Sequence, residues 1–149
     1  MREGLDRAAL LFLLAVHAGL LCWALVGFAE MVLATPPWPR LSNPLFSPGM
    51  LFLQWVLVAG AALTFLLGLA LRWSGLRGAM AAWYAAMAAT CAWQTFFILE
   101  HDTRFLAMAL EYAEYAAILL YLHHSPAVRT RIDPAAPGPI PAARSPRPS

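Results

Sequence analysis

Four apolar stretches of 19 residues or more occupy most of this 149-residue chain. As a helix, each is long enough to cross a hydrocarbon core about 30 Å thick. A lipid-exposed backbone must satisfy its own hydrogen bonds, which leaves helices or closed barrels. Stretches of this length without strand-like alternation read as helices. The chain is 61% apolar and 12% charged, whereas a soluble domain carries about 25% charged residues. That balance excludes a soluble globular enzyme, a nucleic-acid-binding domain, a disulfide-stapled secreted module and a disordered protein. The net charge of +2 offers no clustered basic surface for nucleic acid. The lipid bilayer is the expected partner.

The predicted fold is all-α, an integral membrane bundle of four transmembrane helices over residues 1–124, connected up-down-up-down. The spans are expected at about 8–34, 49–71, 78–99 and 104–122. Pro36, Pro37, Pro39, Pro44 and Pro48 break the chain between the first two, because proline lacks a backbone donor and disfavours helix before it. Arg72 to Arg77 form a short hinge, and Glu100-His101-Asp102-Thr103 a polar turn. The run from Ala8 to Thr35 is about twice the length of a signal-peptide core, so it is read as a retained span. Residues 125–149 hold seven prolines in 25 positions. They are expected to form a disordered cytoplasmic tail whose removal leaves the fold intact.

All ten cations are arginine. With both termini cytoplasmic, eight lie inside (Arg2, Arg7, Arg72, Arg77, Arg129, Arg131, Arg144 and Arg147) and two outside (Arg40 and Arg104). This positive-inside bias sets the predicted orientation. Trp38 and Trp73 fall where interfacial aromatic belts belong. No transit-peptide pattern is present, and a bacterial plasma (inner) membrane is the simplest expected home for a multi-pass protein of this kind.

Helices in lipid join chiefly by close packing, so smooth faces matter. Gly60, Thr64 and Gly68 form a small-residue ridge on the second span. Gly78, Ala82 and Ala86 continue to Thr90 and Gln94 on the third, with Ala81, Ala85 and Ala89 beside them. Gly19 and Gly27 flank Trp23 on the first. These ridges are expected to pack the bundle, and could equally serve a homo-oligomer or a larger membrane complex.

Ionisable groups within a span cost about 2.5–3.5 kcal/mol each at a helix centre. The fourth span carries two, Glu111 and Glu114, about 10 and 15 Å below Arg104. They are three residues apart and share a face with Tyr115. Other polar groups cluster at similar depth: Glu30, Gln54, Thr90, Gln94 and Thr95. The expectation is an outward-opening polar cavity with Glu111 and Glu114 at its floor and Glu30, Gln54 and Gln94 on its walls. Two carboxylates in low dielectric can share protons, hold a cation or act as acid and base. The opposing reading makes them packing glue, bonded to Gln94 and tyrosine hydroxyls.

Nothing points to a metal or a cofactor. Cys22 and Cys91 have no zinc-type spacing and read as apolar fillers. His101 lies beside Glu100 and Asp102 but lacks a second ligand set. His17 has no partner histidine at its depth for haem and lies too far from Glu30 to share a site. His123 and His124 end the fourth span, where a helix C-terminus favours them. No catalytic signature for a nucleotide, metal or serine hydrolase site is present. Three functions compete: an oligomeric carrier, channel or ligand-binding protein for a proton, cation or small polar ligand; a non-catalytic accessory subunit; and, with no nucleophile–base set, an acid–base enzyme acting on a lipid.

Overall fold

A computed structural model of the chain describes residues 2–33 and 45–132. The expected proline-rich loop through position 44, with Trp38 and Arg40, and the tail from 133 lie outside the described residues. The described chain is helical: α1 (Arg2–Leu33), α2 (Pro48–Ala70), α3 (Leu76–Phe97), α4 (Arg104–His124) and α5 (Pro126–Ile132). Helices α1, α2 and α4 are long and apolar enough to cross a membrane, which is compatible with a multi-pass membrane protein. Helix α3 has 22 residues but is less apolar, being built on alanine, aromatic and hydroxyl side chains. Helix α1 starts at Arg2 rather than near Ala8. Its 32 residues reach about 48 Å, more than a bilayer core requires.

Local chemistry sets the helix ends. Ser47 caps α2, its Oγ accepting from the Met50 amide at 3.3 Å, with Pro48 in the first turn where no donor is missed. At the other end of α2, the Trp73 amide donates to Gly68 O at 2.8 Å and the Arg72 amide to Leu69 O at 3.4 Å. These paired bonds require a left-handed residue, and Arg72 supplies it with φ 54°. The chain thus reverses within a few residues, and α3 returns beside α2.

Successive helices run antiparallel, as their contacts show. Between α1 and α2, His17 stacks on Phe65 with centroids 3.8 Å apart, Trp23 meets Trp55 edge-on at 5.6 Å, and Phe28 meets Phe52 at 5.8 Å. Gly27 lies directly under the Trp55 ring. Between α2 and α3, the Trp83 indole sits over Gly60 and donates to Thr64 Oγ1 at 2.8 Å, while Gly68 receives Leu76. Between α3 and α4, Phe96 meets Phe105, Tyr112 Oη donates to Ala88 O at 2.7 Å, and Arg77 Nε donates to Leu122 O at 3.0 Å.

The Gly60–Thr64–Gly68 ridge receives large side chains of α3 rather than a second smooth face. The stripe expected on α3 is not what meets it. Gly78 and Ala82 are exposed, Ala86 is half-buried, and nothing lies within 4 Å of a methyl group placed at Gly78. Helix α3 instead turns Leu76, Met80, Tyr84, Cys91 and Thr95 inward. The reason is volume: these larger side chains fill the space beside α2, and a glycine–alanine face there would leave voids. Gly19 is likewise open.

The main core lies at the end of the bundle that carries the N-terminus. There Leu10, Leu13, Phe65, Leu69, Leu76 and Met80 cluster with Leu122. Helix α5 closes this end by burying Val128 and Ile132. The expected disordered tail is thus ordered through Ile132. Asp6 explains why: its carboxylate accepts from Ser125 Oγ at 2.6 Å and from the Ala127 amide at 2.8 Å, tying the start of α5 to α1. Tyr121 Oη adds a bond to Asp6 O at 2.8 Å. Towards the opposite end the core thins to Ala24, Trp55 and Val58, and a cleft opens.

Candidate functional site

The cleft is a cavity of about 510 Å³ lined from all four long helices. Leu20 and Trp23 come from α1, and Gln54, Leu57 and Val58 from α2. Helix α3 adds Met87, Thr90, Cys91 and Gln94; α4 adds Glu111, Glu114 and Tyr115. It exists because α4 is tied to α1 near the N-terminal end, at Asp6, while farther along each helix packs on its sequence neighbour.

Five of the six residues expected at a polar site line this one cavity: Glu111, Glu114, Gln54, Gln94 and Tyr115. Glu30 does not. It is buried, 6% exposed, on α1, seven residues and about 10 Å beyond Trp23 along the helix. Counting polar groups by their half of the membrane placed it at the right end but too far along.

The two acids differ in setting. Glu111 is half-buried, and Tyr115, one turn on, donates its hydroxyl to Glu111 Oε1. Cys91 lies beside the same carboxyl group and beside Thr95. Glu114 is exposed at the open side of the cavity. Thr90 lines the wall, but its hydroxyl is taken up by Ala86 O at 2.9 Å, so it adds little polarity. Gln54 and Gln94 are half-buried and present amides from two other helices. Arg104 lies two turns from Glu111 and instead donates to Leu99 O, with its guanidinium 4.9 Å over the Phe105 ring. Among the described residues no cationic side chain lines the cleft, so the acids have neutral groups as their surroundings.

Behind Tyr115 the polar groups continue. Its ring stacks on Tyr84 at 4.9 Å and 18°. Tyr84 Oη lies 3.0 Å from His17 Nε2, and His17 Nδ1 lies 2.7 Å from Leu13 O. A carbonyl can only accept, so Nδ1 carries the proton and donates. Nε2 of the neutral ring then accepts from the Tyr84 hydroxyl. His17 is 1% exposed and satisfied at both nitrogens. His17 shares an α1 face with the buried Leu10 and Leu13; the sequence reading did not find its partner on α3. Cys91 is three residues from Gln94 and shares a helix face with it, but the sequence alone read it as an apolar filler.

Among the described residues, no three His, Cys, Asp or Glu side chains converge as a metal site. Comparison with known proteins found no matching family model, no similar curated protein and no similar solved structure.

Proposed function

We propose that the chain is a four-span membrane protein, both termini cytoplasmic, whose cleft binds a proton, a cation or a small polar ligand. The observation that carries this reading is the convergence of two α4 carboxyl groups with amides from α2 and α3 in one cavity. Carboxyl groups placed within spans are costly, and here they border open space rather than fill a packed seam. Helix α3 is read as a fourth span because it lies antiparallel between α2 and α4, joined to each by a short turn. The arginine distribution then puts the cleft in the outer half. Reporter fusions at position 101 and at the C-terminus should report opposite sides of the membrane; the same side for both would remove the four-span topology.

The cleft is tested by the double substitution Glu111→Gln, Glu114→Gln. In vesicles of zwitterionic lipid, the wild type should dissipate an imposed proton or sodium gradient, and the variant should not. Both proteins should keep the same helical content and elute alike in detergent. Equal flux would eliminate the carrier reading, while loss of folding would make the acids packing groups.

An accessory-subunit role is the second reading, favoured by the surface. Leu122 is the buried residue of α4, and the Gly78–Ala82 face of α3 is uncovered. Extraction in mild detergent should then bring a larger membrane protein with it, and a monodisperse single chain would count against this role.

A further inference from the structure

At the end of the bundle closed by α5, a second cavity of about 450 Å³ gathers three arginines from three elements: Arg7 of α1, Arg72 after α2 and Arg131 of α5. All three arginines are exposed, so water screens their mutual repulsion, and an anion seated among them gains from three cations at once. Among the described residues no carboxylate lines it. Among the acids whose side chains are described, Asp6 lies in the adjoining cavity of about 530 Å³, which Arg7 also lines, and accepts from Ser125 and Ala127. Thr130 lines the arginine cavity, but its hydroxyl donates to Pro126 O at 3.0 Å. Among the described residues, the side-chain donors left at this cavity are therefore the three arginines. Arg72 also adopts the left-handed backbone, φ 54°, a position that glycine fills without steric conflict. Its side chain is placed at the cavity by a turn that does not favour arginine.

The rest of the lining indicates where the anion comes from. Leu10 and Leu11, one turn along α1 from Arg7, form the apolar side, and Leu11 is 66% exposed. A group held here has its charge among guanidiniums and its hydrocarbon against a membrane-spanning helix. Arginine matches phosphate oxygens with paired N–H donors. We infer that this cavity binds the phosphate of an anionic phospholipid, with an acyl chain along Leu11. This site is separate from the carboxylate cleft and rests only on α1 and α2 spanning the membrane.

The test is native mass spectrometry of the full chain in neutral detergent, with phosphatidylglycerol, phosphatidylcholine or inorganic phosphate added. The wild type should retain one phosphatidylglycerol and shed phosphatidylcholine, whose choline cation opposes the arginines. Arg7→Gln and Arg131→Gln should each lower retention about fivefold. Arg129→Gln, on α5 but outside the cavity, should not. Arg72→Gly separates binding from folding: it should raise the thermal midpoint while weakening lipid retention. Equal losses from Arg129→Gln and Arg131→Gln would reduce the effect to general charge and overturn the site, as would undiminished retention by the triple arginine variant. Inorganic phosphate binding with the same arginine dependence, without preference between the lipids, would overturn the lipid assignment. Resistance of each variant to alkaline extraction from membranes tests the spanning reading independently.

Discussion

His17 shows how a polar residue becomes part of an apolar core. Its ring stacks on Phe65 and both nitrogens have partners, so burial leaves nothing unsatisfied. Packing outweighs the hydrogen bond here. Side-chain hydrogen bonds between membrane helices average about 0.6 kcal/mol, whereas truncating a large buried side chain costs about 2–5 kcal/mol. His17→Ala should therefore destabilise several times more than Tyr84→Phe in reversible unfolding from detergent. Equal losses would make the hydrogen bond the dominant contribution. Glu111 likewise has local partners: it accepts from Tyr115, one turn along its own helix, and Cys91 of α3 lies beside it. The residue pattern alone identified Glu111 and Glu114 as costly and placed them on one face with Tyr115. It could not supply Cys91 as a neighbour, because that contact depends on the rotation of α3 against α4.

At the scale of elements, the helix pairs are keyed by glycines receiving aromatic rings. A methyl group at Gly27 would fall within the Trp55 ring, and one at Gly60 within that of Trp83. Gly27→Ala and Gly60→Ala should each cost about 1–3 kcal/mol through forced displacement of those rings. Gly19→Ala and Gly78→Ala meet open space and should be neutral or slightly stabilising, since alanine is the better helix former. Thermal unfolding of the four variants distinguishes the pairs; a loss at Gly78 matching that at Gly60 would point to an oligomer contact on that face. Spacing showed that small residues recur on both α2 and α3. It did not show that α3 would turn a different face inward, because side-chain volume on both partners decides which surfaces fit.

For the whole molecule, the contrast is between a closed end and an open one. Asp6 and Ser125 hold α5 across the N-terminal end, where Val128 and Ile132 are buried. A chain truncated after Ile132 should match the full chain in stability. One truncated after His124 should lose on the order of 3 kcal/mol, the contribution of two buried aliphatic side chains, and Asp6→Ala should lose part of it. Limited proteolysis and thermal unfolding check the series; equal stability at both truncation points would show that α5 does not brace the bundle. With α4 anchored there, its packing farther along on α3 leaves the carboxylate cleft beside α1 and α2. Bracing at one end thus sets where the other can open.

The order of residues by itself determined the long helices, their approximate ends and the pair of acids on the last of them, because hydrophobic length and helical periodicity are local properties. Only the tertiary structure decided that Glu30 lies beyond the cleft, that Tyr84 bonds to His17, and that a short helix in the tail is folded. It also decided that three distant arginines share one cavity. Each of these depends on axial shift and rotation between helices, which are settled by how whole surfaces fit.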